Sequence, residues 1–227
     1  RPLAASVVKV DENGAEIDFG GEMTMVIRLD GDLAWLSFTN VNPAINRFWF
    51  RVDAKETEHC YGCGEQMSYF NLRGRHFPLW TSEPGVGRDK TNYPQPTFVS
   101  SEHYYLHVDS TAYADFDFRN PDFHELQIWE VPASIRIEAA GSFLELLEKE
   151  SAFFGRQPEL PEWVYNGLIM GVQGGNERSF GLMEKTLENR IKVSGVWCQD
   201  WSGKRVTSFG KRLQWDWHFH EEMYPEL

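Results

Sequence analysis

The residues best placed for chemistry fall in one stretch, VSGVWCQDWSGKRVTSFGKRLQWDW, residues 193–217. Lys204, Arg205, Lys211 and Arg212 gather here, in a chain whose formal net charge is −12. Trp201, Trp215 and Trp217 crowd the same segment, and Gln199 and Asp200 open it. Guanidinium and amide N–H groups donate to anionic oxygens, and aromatic faces line sugar pockets. The combination suits a sugar that carries an anionic group. The same residue types would also serve a loop in which Arg212 pairs with a surface acid and Trp215 packs on the fold.

Weaker constellations lie elsewhere. Cys60 and Cys63, with His59 alongside, mimic half a zinc site. A full site takes four ligands, usually from a second pair, and Cys198 is the one remaining cysteine. Buried thiols in a strand are the better reading, and no metal or cofactor is expected. His218 and His220 alternate on one strand face beside Glu221, but nothing completes a ligand set. Trp80, Glu83 and Arg88 share a loop with Gly85 and Gly87.

At 227 residues the chain is long enough for one large or two ordinary domains. It is 41% hydrophobic with nine Trp, which fits both a sugar binder and a β-rich core of large side chains. The negative charge argues against nucleic acid or an anionic membrane as partner. No apolar run approaches the ~20 residues of a spanning helix. The opening RPLAASVVKVDENG lacks the apolar centre of a signal peptide. Three cysteines cannot all pair, and nothing suggests a disulfide scaffold. A cytoplasmic location is expected, with a small sugar as partner; a homo-oligomer stays open.

The elements that must position the loop come in two styles. Residues 1–140 read as an antiparallel β-sandwich, from apolar alternations at 23–29, 33–38, 47–52, 97–101, 104–108 and 133–139 punctuated by Asp, Gly, Asn and Pro turns. Residues 141–162 read as a helix and a Pro-rich connector. Ser142 and Glu145 form a capping box there, Phe143, Leu146, Leu147 and Phe154 form an apolar face, and Pro158 and Pro161 stiffen the connector.

From residue 163 the period changes. VYNGLIMGV, residues 164–172, reads as a parallel strand buried on both faces. Gln173-Gly174-Gly175 ends it. Asn176 or Ser179 then caps a helix whose Phe180, Met183, Leu187 and Ile191 share a face. The next strand is VSGVWC. Strand, helix, strand makes a βαβ unit, so Gln173 and Gln199 should emerge at one carboxyl edge, where a (β/α)8 barrel carries its active site. A barrel takes at least ~200 residues. Only 64 run from Val164 to Leu227, so 163–227 is expected to hold the first β/α units of an incomplete barrel.

Long blocks, EHCYGCGEQMSYFNLRGRHFPLWTSEPGVGR (58–88), PQPTFVSSEHYYLHVD (94–109), LLEKESAFFGRQPELPEWVYNG (146–167) and VWCQDWSGKRVTSFGKRLQWDW (196–217), resemble the bacterial sulfoquinovosidases, a branch of glycoside hydrolase family thirty-one. That resemblance implies a β-sandwich, a catalytic (β/α) barrel and further β-domains. It also implies retaining, cofactor-free cleavage of α-glycosides of sulfoquinovose, a glucose whose C6 hydroxyl is replaced by a sulfonate. By the same resemblance the sulfonate-binding residues fall on Gln173, Gln199, Arg212 and Trp215. Asp200 matches an aspartate that hydrogen-bonds sugar hydroxyls. The family's nucleophile and acid/base aspartates lie on later barrel strands, so no residue of this chain inherits those roles. The family usually carries a longer segment where Tyr93 here joins Pro94. Within the same family, α-glucosidase and α-xylosidase are the alternatives; outside it, a non-catalytic sugar-binding β-module is.

Overall fold

The computed structural model describes residues 2–66, 68–80 and 91–225. It divides into two compact units, Arg1–Arg156 and Gln157–Leu227. The first unit holds strands β1 (Ser6–Asp11), β2 (Gly14–Asp18), β3 (Thr24–Asp30), β4 (Leu33–Thr39), β5 (Phe48–Asp53), β6 (Cys60–Gln66), β7 (His76–Leu79), β8 (Thr91–Ser100), β9 (Tyr104–Asp109), β10 (Ala114–Asp117), β11 (Phe123–Ile128) and β12 (Ser134–Ala139). Helix α1 (Phe143–Phe154) comes after them. The strands make an eight-stranded sheet, ordered β1-β2-β3-β4-β12-β9-β8-β6, and a four-stranded sheet, ordered β5-β11-β10-β7. Every pairing in both is antiparallel.

The alternation in sequence becomes alternation in burial. On β11, His124, Leu126 and Ile128 are buried, while Phe123, Glu125 and Gln127 are half-exposed. Successive side chains on a strand point to opposite faces, so each strand contributes every second residue to the core. The core draws Phe98, Leu106, Val108 and Ile135 from the larger sheet and Phe48, Phe77, Phe116, Leu126 and Ile128 from the smaller. Phe98 sits edge-on to Phe118, with ring centroids 5.1 Å apart. This is a β-sandwich.

The Cys60–Cys63 spacing has a backbone explanation. Gly62, Cys63 and Gly64 all have positive φ, at a bulge where β6 meets β8. A Cβ on Gly64 would lie 1.8 Å from the Tyr93 carbonyl oxygen, so only glycine lets β8 approach. β8 runs without a break through Tyr93 and Pro94.

Helix α1 starts as its capping box predicts. Ser142 Oγ accepts the Glu145 N–H at 3.3 Å, and Glu145 Oε2 accepts the Gly141 N–H at 2.9 Å. The helix rests on the outer face of the larger sheet. Trp35 meets Phe153 edge-on at 6.3 Å, His107 meets Phe154 at 4.9 Å, and the Arg136 guanidinium lies 4.5 Å from the Phe153 ring centre. Lys149 Nζ donates to the Ala139 carbonyl at 2.8 Å, fastening the helix to the end of β12.

The second unit begins with a single 3-10 turn, Glu162–Tyr165. Then come β13 (Leu168–Val172), α2 (Asn176–Glu188), β14 (Val193–Cys198), β15 (Lys204–Thr207) and β16 (Gly210–Leu213). β13 pairs β14 in parallel, with α2 as crossover. The expected strand over 164–172 is shorter than predicted, because the turn and Asn166-Gly167 occupy its first half. Nor is β13 buried on both faces. Only Val172 is buried. Neither Asn176 nor Ser179 caps α2: the N-cap residue is Gly175, the Asn176 amide donates to the Pro225 carbonyl, and Ser179 Oγ donates to the Gly175 carbonyl. Among the described residues, no helix is long and apolar enough to cross a membrane.

Candidate functional site

Parallel register decides where the two glutamines go. Val172 and Cys198 are the last paired residues of β13 and β14, and each is followed at once by a glutamine. The Gln199 N–H donates to the Val172 carbonyl at 3.0 Å, which extends the ladder by one rung. Gln173 Nε2 donates to Gln199 Oε1 at 2.6 Å. Two side chains 26 residues apart in sequence thus meet at the carboxyl edge, and both are half-exposed. The bond leaves the Gln199 amide N–H groups without a protein partner among the described residues, available as donors.

Asp200 lies one residue deeper. Its side chain is fully buried. Oδ2 accepts the Gly174 N–H at 2.9 Å and lies 3.1 Å from Lys204 Nζ. Oδ1 accepts the Tyr224 hydroxyl, whose oxygen in turn accepts the Gly175 N–H at 3.2 Å. Burial alone would push this carboxyl up, but the bonds from Tyr224, Lys204 and Gly174 outweigh it and hold its pKa below the usual carboxylate range. Both oxygens are occupied by the protein, and the carboxylate sits at the start of α2, where the helix dipole favours an anion.

The loop after Asp200 contains a two-stranded hairpin where the sequence predicts irregular structure. β15 and β16 pair so that Arg205 stands opposite Arg212. Like charges directly opposite each other on a ribbon are unfavourable unless something anionic lies between or above them. Among the described residues neither guanidinium makes an ion pair. Trp215 is exposed just after β16. Its neighbour Gln214 is pinned, its N–H donating to the Gly203 carbonyl at 3.1 Å and its carbonyl accepting the Ser202 hydroxyl. Trp217 lies 6.0 Å from Trp201. Gln173, Gln199 and Asp200 are therefore brought together. Arg212 and Trp215 lie farther along the loop, with no hydrogen bond or ion pair joining them to the glutamines among the described residues. Trp80 is described; Glu83 and Arg88 lie outside the described residues.

Sequence reasoning missed Tyr224, because 24 residues separate it from Asp200 and nothing in its neighbourhood marks it. The Gly174-Gly175 pair between strand and helix was the available signal. Their φ angles of 103° and 90° turn successive N–H groups toward one place, a backbone nest for an anion.

Known proteins share this architecture. Residues 3–117 match the glycosyl hydrolase 31 N-terminal galactose mutarotase-like domain. The chain belongs to this family. It is similar to the sulfoquinovosidase of Agrobacterium fabrum, 51% identical over 88% of this chain and 33% of that protein. It is similar also to the sulfoquinovosidase of Escherichia coli, 44% identical over 99% of this chain and 37% of that protein. A solved family 31 sulfoquinovosidase from E. rectale, in complex with an aza-sugar inhibitor, superposes with a TM-score of 0.86 at 60% identity, covering 100% of this chain and 37% of its own. The chain thus spans about a third of the length of the curated relatives it matches.

Among the described residues of this family 31 chain, one cluster has the atoms to hold a metal. Glu58, Cys60 and His124 place ligand atoms within 4.8 Å of one another, all buried in the sandwich. The hydrogen bonds assign it otherwise. Glu58 Oε1 accepts from the hydroxyls of Ser100 and Tyr104 and lies 3.2 Å from His124 Nε2. Arg73 Nη1 points at His124 Nδ1 from 3.5 Å. An ionised carboxylate can only accept, so Nε2 carries the proton aimed at Glu58. A nitrogen that carries that proton has no lone pair left for a metal. The cluster is a proton-sharing network that satisfies buried polar groups. Burial, with the Glu58 charge nearby, raises the Cys60 thiol, so it stays protonated.

Proposed function

We propose that this chain supplies the N-terminal sandwich and the sulfonate-recognition edge of a retaining α-sulfoquinovosidase, the edge being the start of a (β/α)8 barrel. One observation carries the reading. The parallel β13–β14 register sets Gln173 and Gln199 side by side, in a chain 44–51% identical to two sulfoquinovosidases. A neutral sugar does not call for a guanidinium donor, which the same unit carries at Arg212.

A sulfonate is a permanent anion with three acceptor oxygens. Arg212 cannot deprotonate and offers a planar donor fork, Trp215 offers one indole N–H, and the glutamines offer uncharged amide donors. Hydrogen bonds to a charged group contribute about 1.5–3 kcal/mol each. A site built around them rejects a sugar lacking the group by about 10⁴-fold, because its donors are left unpaired. Asp200, closed off from solvent, holds the edge in shape from beneath it in this reading.

The whole protein would protonate the leaving glycosidic oxygen, form a covalent glycosyl–aspartate and release the sugar by hydrolysis. The carboxylates for those steps are proposed to lie on later barrel strands. Hydrolysis of an aryl α-sulfoquinovoside and an aryl α-glucoside by the whole protein tests the assignment. Faster cleavage of the sulfonated substrate is expected. Faster glucoside or xyloside cleavage would transfer the protein to another activity of family 31.

A further inference from the structure

We propose that Tyr224 is a positioning residue for substrate recognition, fixing the separation of Gln173 and Gln199 through Asp200 and the Gly174–Gly175 backbone. The inference rests on the reading that these glutamines bind the substrate's sulfonate. Tyr224 itself is 2% exposed, so it has no surface with which to touch a sugar.

The bonds form a closed ring. The Tyr224 hydroxyl donates to Asp200 Oδ1, Asp200 Oδ2 accepts the Gly174 N–H, and the Gly175 N–H donates back to the Tyr224 oxygen. Asp200 adjoins Gln199 and Gly174 adjoins Gln173. The ring therefore clamps the two residues from which the recognition side chains depart. Two further bonds keep Tyr224 from swinging away: the Asn176 N–H donates to the Met223 carbonyl at 2.9 Å and the Asn176 amide to the Pro225 carbonyl at 3.3 Å. Lys204 closes the outer side of the ring on Asp200.

The ring also explains what occupies the nest. Consecutive N–H groups turned toward one point bind anions when left open. Here a carboxylate and a phenol oxygen fill that point, so the nest serves alignment. Burial and the Asp200 carboxylate both disfavour the phenolate, which keeps Tyr224 a donor. The Gln173–Gln199 bond at 2.6 Å has little tolerance. A shift of ~1 Å in one loop would break it and redirect both amides, and misplacement on that scale costs up to ~10²-fold in substrate handling.

Steady-state kinetics of the whole protein with an aryl α-sulfoquinovoside tests this, using Tyr224→Phe. Losing one bond to a buried carboxylate should raise KM about tenfold, since ~1.4 kcal/mol is a factor of ten. After correction for folded fraction by circular dichroism, kcat should stay within about twofold, because the ring touches recognition and not bond cleavage. A purely structural role would lower the active fraction and leave KM unchanged; unchanged KM overturns the proposal. If Tyr224→Phe does not fold, Lys204→Met, made on the half-exposed side of the ring, decides alone: a KM rise of about threefold supports the proposal and no rise overturns it. Arg212→Lys run in parallel separates the two levels. If it too leaves kcat/KM unchanged, the sulfonate reading itself fails. If it alone is impaired, only the positioning role of Tyr224 fails.

Discussion

The two units use their polar residues in opposite ways. In the sandwich, Glu58, His124, Ser100 and Tyr104 are turned inward and bond one another, within a core of phenylalanines. Arg73 is spent on the carbonyls of Lys55, Phe118, Asn120 and Pro121. In the second unit the buried side chains are few and include Asp200, Ser202 and Tyr224, while the side chains of Arg205, Arg212 and Trp215 stand exposed with no hydrogen bond or ion pair among the described residues. The first arrangement consumes donors to hold a fold; the second uses a small polar centre to hold other donors out. Function is to be sought where donors are left over.

The comparison can be broken from either side. The largest effect should come from Glu58→Ala, which strips the acceptor from a buried histidine, two hydroxyls and a backbone N–H. The sandwich should lose about 3–5 kcal/mol, read as a shift of its denaturation midpoint. A neutral result would mean that the network is not needed for the fold. Next, Arg212→Lys should lower kcat/KM on a sulfonated substrate by about a hundredfold, through loss of the bidentate fork, with little change in melting temperature. A stability loss of Glu58→Ala size would place Arg212 among structural groups instead. Gly175→Ala should cost about 1–3 kcal/mol, because its φ is 90° and a Cβ would lie 2.9 Å from the Met223 carbonyl oxygen.

The sandwich network should also show in a pH slope. Burial pushes the Glu58 carboxyl up, but bonds from His124 and Ser100 and the His124 charge outweigh it, lowering the pKa from 4.5 to about 2. A folded pKa below the unfolded one adds stability that is full above pH 4.5 and lost as pH falls through about 2. Acid titration of the sandwich's stability should show that limb, and Glu58→Gln should flatten it.

Much of the sandwich was legible because period-two alternation and turn residues are local signals. The strands at Leu33–Thr39 and Tyr104–Asp109 begin on the residues that the pattern indicates. Helix α1 was legible for the same reason, its cap being written within four residues. The second unit was harder. The apolar run 164–172 predicts burial, yet burial depends on what covers a strand, which periodicity cannot report. The meeting of Gln173 and Gln199 was readable from the strand–helix–strand pattern, since parallel register carries both to one edge. The hairpin Lys204–Leu213 was not, because its cations mask the strand signal. Tyr224 was not, because a contact across 24 residues leaves no local trace.

The most direct test of the contrast is calorimetric titration of the whole protein with sulfoquinovose and, separately, with glucose. Unpaired donors beyond the β13–β14 edge predict that sulfoquinovose binds at least about a hundredfold more tightly. Equal affinity for the two sugars would contradict the claim that this unit keeps its donors for an anion.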